Sequence, residues 1–188
     1  MKIIFLDNDG VICLANNWGS RFKKERNFFT KSNPRNGFDY LGPVHVRFDN
    51  FDKKAIRVLN SIIEETGADI VVSSDWRYAV NLEEIGQYYM DQGIMKKPIG
   101  FTKLLGECDQ DDIEWDFAHE LSQTRSIEIK QYLKDNQGIT NWVSVDDLNM
   151  GFDELERPWG LNNFVLTPRK MEGIKQTGIK EKIIKFLK

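Results

Sequence analysis

The chain has 188 residues, 40% of them hydrophobic and 12% aromatic, with 26 basic and 29 acidic side chains and a formal net charge of -3. Those values suit one apolar core of domain size, and they exclude a disordered chain or a polycation built to coat nucleic acid. No apolar run reaches the roughly 18 residues needed to cross a bilayer, and Met1 to Leu6 is too short for a signal peptide. Cys13 and Cys108 supply no disulfide framework, so the expected compartment is a reducing cytoplasm and no membrane partner is expected.

Lys2-Ile3-Ile4-Phe5-Leu6 is a short apolar run closed by Asp7-Asn8-Asp9-Gly10, a buried strand entering a turn. Residues 13–50 follow neither the helical nor the strand period and contain Gly19, Pro34, Gly37, Gly42 and Pro43, so they read as an irregular insert or small cap. This insert is basic: Arg21, Lys23, Lys24, Arg26, Lys31, Arg35 and Arg47 stand against Glu25, Asp39 and Asp49. Ala55, Leu59, Ile62, Ile63 and Thr66 recur at helical spacing, with Asn50 as the predicted N-cap and Gly67 as the stop. Ile70-Val71-Val72 predicts a second buried strand running into Ser73-Ser74. Asn81 and Glu84 have the spacing of a capping box, opening a helix that stops near Gly93.

Pro98 to Phe101 predicts a short third strand. The acids Glu107, Asp109, Asp111, Asp112, Glu114, Asp116 and Glu120 read as a solvated face or loop. Thr124 is the predicted cap of a helix carrying Ile127, Ile129 and Leu133 and stopping near Gly138. Trp142-Val143-Ser144-Val145 is a further strand ending in Asp146-Asp147, and Asn163 to Thr167 a last one. A final helix carries Ile179, Ile183 and Leu187 in a basic tail.

Strands alternating with helices predict one α/β domain over residues 1–188, a Rossmann-like parallel sheet with helices on both faces and the insert at about 13–50. Such sheets bind ligands beyond the carboxyl ends of their strands, where Asp7, Asp9, Ser73, Asp146 and Asp147 all fall. Carboxylates gathered there repel one another unless a cation neutralises them, and an oxygen-only ligand set favours Mg²⁺. A Ca²⁺ loop is excluded, because positions 11–18 lack the further oxygen ligands and the closing Glu. No P-loop motif occurs. His45 and His119 lack metal-ligand spacing, Cys13 reads as packing, and Trp76, Trp115, Trp142 and Trp159 read as core or lid residues.

Phe5-Leu6-Asp7-Asn8-Asp9-Gly10-Val11, the strand ending Val71-Val72-Ser73, and Asp146-Asp147 after a later strand together resemble the haloacid dehalogenase superfamily of phosphohydrolases. Val72-Ser73-Ser74-Asp75-Trp76-Arg77, Arg125-Ser126-Ile127-Glu128-Ile129 and Phe164-Val165-Leu166-Thr167 further resemble the phosphatase-like domain of Swiss army knife RNA-repair proteins. The resemblance implies that Asp7 attacks phosphorus, that Asp9 protonates the leaving oxygen and then activates water, and that Ser73 donates to a phosphoryl oxygen. It implies Mg²⁺ held by Asp7, the Asp9 main-chain carbonyl and one of Asp146 or Asp147. Arg125 supplies the superfamily's cation in place of the more usual Lys, with Lys130 as the alternative. Ser74, Arg77 and Gly10 are further candidate substrate-binding positions. Cysteine usage and the repair-type resemblance point to a cytoplasmic enzyme.

The insert pairs its basic residues with Trp18, Phe22, Phe28, Phe29, Phe38, Tyr40 and Phe48, a mixture that tracks phosphates and stacks bases. With the resemblance, it points to a terminal phosphate, a 3′-phosphate, on RNA or DNA. Two other readings stay open: a phosphatase of nucleotides or small metabolites, and a catalytically silent module that binds metal or phosphate.

Overall fold

The computed structural model describes residues 1–14, 43–105, 121–169 and 171–188. Among them, β1 (Lys2–Leu6), β2 (Asp69–Val72), β3 (Gly100–Phe101), β4 (Asn141–Asp146) and β5 (Phe164–Leu166) form one sheet in the order β3-β2-β1-β4-β5. Every pairing is parallel. The helices are α1 (Val44–Arg47), α2 (Lys53–Thr66), α3 (Leu82–Gln92), α4 (Leu121–Asp135) and α5 (Ile179–Leu187), with a 3-10 helix at Asp75–Tyr78. None of the helices described is long and apolar enough to cross a membrane.

Side chains alternate across a strand, and here both faces are covered. Ile4, Leu6, Ile70, Val72, Val143 and Val145 share one core with Leu59, Ile62 and Ile63 of α2 and Ile183 and Leu187 of α5. Ile3, Phe5 and Val71 face the other way, into a core with Ile129 of α4, Met150 and Leu161. Double coverage is why these strands read as unbroken apolar runs in the sequence.

The chain leaves β1 for β2 on one side of the sheet and comes back to β4 on the other. That reversal opens a crevice outside the carboxyl ends of β1 and β4. Ser73 N–H donates to the Leu6 carbonyl at 2.9 Å and Asp7 N–H to the Val145 carbonyl at 3.1 Å, so the first residue past β2 stands beside the end of β1 and the first past β1 beside the end of β4.

Two predicted helix starts need correction. Asp52, not Asn50, caps α2: its Oδ1 accepts from Lys54 N–H at 2.9 Å and Ala55 N–H at 2.8 Å. A carboxylate is the better group there because it also opposes the positive end of the helix dipole. Asp52→Ala should lower stability by about 1 kcal/mol in chemical denaturation, with α2 still formed. Thr124 is not a cap either, since α4 already runs from Leu121; the helix-favouring Leu121 and Gln123 carry it through. By contrast, Asn81 and Glu84 do form the capping box of α3, and Gly67 and Gly93 end α2 and α3.

The stems of the insert are clasped together where Asp52 N–H donates to the Ile12 carbonyl at 2.8 Å. Most of the insert (15–42) and the acidic run with Cys108, Trp115 and His119 lie outside the described residues. Two insert residues that are described do not fit the expected phosphate-tracking role. Arg47 is buried, donating to the Ala79 carbonyl and pairing with Glu84 at 2.5 Å, and Phe48 is buried against Trp76. A guanidinium and a ring so engaged stabilise the stem rather than meet a nucleic acid.

Candidate active site

The turn after β1 is built on a single carbonyl. The Asn8 oxygen accepts from the N–H groups of Val11, Ile12 and Cys13 at 3.3, 3.0 and 2.7 Å. The Asn8 side chain is turned into the core, where its Oδ1 accepts from the Tyr89 hydroxyl at 2.6 Å. Burial drives the Tyr89 pKa far up, so the hydroxyl remains a donor. This anchor to α3 leaves Asp7 and Asp9 on the crevice side of the turn.

Gly10 has φ +72°, and a Cβ there would lie 2.3 Å from Asp147 Oδ2. Its N–H donates to the Cys13 carbonyl at 2.9 Å and its carbonyl accepts from Thr167 Oγ1 at 3.2 Å. Its polar groups are used within the turn, and its missing side chain is what makes room for Asp147.

Asp7, Asp146 and Asp147 each bring a carboxylate oxygen within 4.8 Å of the others. Asp146 closes β4 and is 1% exposed, Asp7 is 3% exposed, and Asp147 is half-buried. Asp146 Oδ1 accepts from Leu148 N–H at 2.8 Å. Burial first, then the nearby Asp146, holds the Asp7 carboxyl well above the usual range. Burial likewise raises Asp146, against the pull of Arg125. Groups that resist ionising together in so small a space are stabilised as anions by a cation, and three hard oxygens suit a divalent one. The residues present therefore fit a divalent metal ion.

Among the described residues, Arg125 is the cation that reaches this cluster. It lies on α4, 3% exposed, with Nη1 2.7 Å from Asp146 Oδ2 and 3.5 Å from Asp7 Oδ1, and Nη2 2.8 Å from Asp75 Oδ1. Burial alone would lower its pKa, but Asp7 and Asp146 carry it well above the ordinary value. Lys130, the alternative, is exposed and donates to the Trp159 main-chain carbonyl at 2.6 Å. The four intervening residues turn it away around the helix.

Ser73 and Ser74 differ sharply. The Ser73 hydroxyl is buried with no hydrogen-bond partner among the described residues, an arrangement that suits an incoming anion. The Ser74 hydroxyl accepts from Trp76 N–H at 3.5 Å and lies near Asp7, where it favours the charged carboxylate. Arg77 also proves to be engaged: it donates to Thr102 Oγ1 and pairs with the fully buried Glu128 at 2.6 Å. Glu128 also accepts from Leu105 N–H at 3.0 Å. This pair ties the segment after β2 to α4, the helix that carries Arg125.

Three contributors were not assigned from the sequence. Asp75 steadies Arg125, Glu128 neutralises Arg77, and Trp76 Nε1 donates to Asp9 Oδ2 at 3.1 Å. For Glu128 the available signal was its place three residues after Arg125 on one helix face. Asp75 and Trp76 adjoin the serines at the β2 terminus.

A family model described as the HAD domain in Swiss Army Knife RNA repair proteins matches residues 3–178. No curated protein and no solved structure matches the chain.

Proposed function

The chain belongs to the family of HAD domains in Swiss Army Knife RNA repair proteins, whose general activity is phosphohydrolysis, and from that premise we propose that it is a Mg²⁺-dependent phosphatase removing a terminal phosphate from RNA or DNA. The observation that carries the catalytic part is the convergence of Asp7, Asp146 and Asp147 within 4.8 Å beside Arg125, at the switch point of the sheet.

Asp7 attacks phosphorus, forming the bond of an aspartyl-phosphate as the ester P–O bond breaks. Asp9 gives its proton to the departing oxygen, then accepts a proton from the water that attacks the phosphoenzyme and restores Asp7. Ser73 donates to a phosphoryl oxygen, and Arg125 orients Asp7 and offsets its charge. Asp7, Asp146, Asp147 and the Asp9 carbonyl would hold Mg²⁺, which supplies charge neutralisation at the transferring phosphoryl group.

The nucleic-acid part is supported by the family's association with RNA repair and by the basic, aromatic composition of residues 15–42. A 3′-phosphorylated oligonucleotide should show a higher kcat/KM than a 3′-mononucleotide, and rising salt should shrink the difference. Replacing Lys23, Lys24 and Arg26 together by Ala should erode the preference while sparing turnover of a small phosphate ester. Equal efficiencies that ignore salt would assign the enzyme to small phosphorylated metabolites instead.

A further inference from the structure

Asp9 is held by an aromatic stack that begins in the stem of the insert. Trp76 is 1% exposed, and its Nε1 donates to Asp9 Oδ2 at 3.1 Å. The Phe48 ring lies on the indole with centroids 3.9 Å apart and planes 11° from parallel. Phe51 stacks on the same indole at 5.4 Å and 25°. Phe51 is itself set edge-on against Tyr88 and Tyr89 of α3, which fixes the stack to the domain. A buried indole N–H seeks an acceptor, and a ring packed this closely has little freedom to follow one that moves.

We propose that Trp76 is a positioning residue for Asp9, and that Phe48, where the insert re-enters the domain, keeps the indole in register. The proposal rests on the phosphatase reading above, in which Asp9 serves as acid and then as base. The indole N–H on Oδ2 fixes the rotation of the Asp9 carboxyl group, and with it the direction in which Asp9 delivers a proton to the leaving oxygen and later takes one from water. Without the N–H the carboxyl can rotate, and the proton is no longer held toward the ester oxygen. The stack also links the acid–base residue to the end of the insert, because Phe48 belongs to the insert and packs on the indole that holds Asp9.

The test is leaving-group dependence. Trp76→Phe keeps an aromatic ring and removes the N–H. Its kcat/KM should fall about tenfold or more for an alkyl phosphate, whose oxygen must be protonated, and by less than about twofold for 2,4-dinitrophenyl phosphate, whose oxygen need not be. Phe48→Leu, which keeps the N–H but loosens its platform, should give the same selectivity to a smaller degree. Equal losses on both esters, or none on either, would overturn the proposal. A readout independent of turnover is the Trp76 indole proton in the NMR spectrum, assigned by its absence from Trp76→Phe. It should move upfield in Asp9→Ala, and an unmoved resonance overturns the contact. Failure of the wild-type protein to hydrolyse any phosphate ester would overturn the phosphatase reading, while the indole shift would still decide the contact.

Discussion

Asp7→Asn should lower phosphate-ester hydrolysis by about four orders of magnitude or more while leaving the fold in place, because the amide keeps the shape but is no longer a nucleophile. The substitution also relieves the site. Asp7 is buried next to Asp146, and its carboxyl is held well above the usual range by that burial and that neighbour. An uncharged side chain there carries no such cost, so the thermal midpoint should hold or rise. Activity is measured by phosphate release, and folding by circular dichroism. Turnover comparable to wild type would sink the covalent route. Asp9→Asn should also be severe, but it should leave a phosphorylated enzyme that can be trapped, since the base that activates water is gone.

Chelation should have the second large effect. EDTA should abolish activity, Mg²⁺ should restore it, and Ca²⁺ should restore it poorly, because Ca²⁺ takes more ligands in looser geometry than a site for in-line attack can use. Without metal the fold should persist, since Arg125 lies 2.7 Å from Asp146 and 3.5 Å from Asp7 and offsets their charge. Arg125→Met should then be destabilised by about 3–5 kcal/mol in EDTA, the cost of leaving buried charge uncompensated, and Mg²⁺ should recover part of the loss. Thermal melts of both proteins with and without Mg²⁺ check this. Full activity in EDTA would mean that the carboxylate cluster is not a metal site.

Particular residues explain why the fold was legible in the sequence. Ile3 to Leu6, Ile70 to Val72 and Val143 with Val145 are apolar throughout because both faces of the sheet are covered. Asn81 with Glu84, and Gly67 and Gly93, mark helix ends through local hydrogen bonds and backbone conformation, which depend on neighbours in the chain. The errors were also local. Asn50 and Asp52 are both acceptable caps, and only the geometry of α2 selects Asp52.

The sequence by itself determined the alternation of strands and helices, the acids at the strand ends and the family resemblance, because each is written in short-range pattern. Tertiary structure alone decided how the polar groups pair. Arg125 reaches Asp7, 118 positions away, only because α4 packs beside the switch point, and Arg77 is withdrawn from the crevice by Glu128. Gly10, past the end of β1, makes room for Asp147 past the end of the neighbouring β4, and Trp76, in the 3-10 helix after β2, reaches Asp9. Such pairings join groups tens of residues apart, and a short-range pattern holds no record of which partner each buried charge will meet.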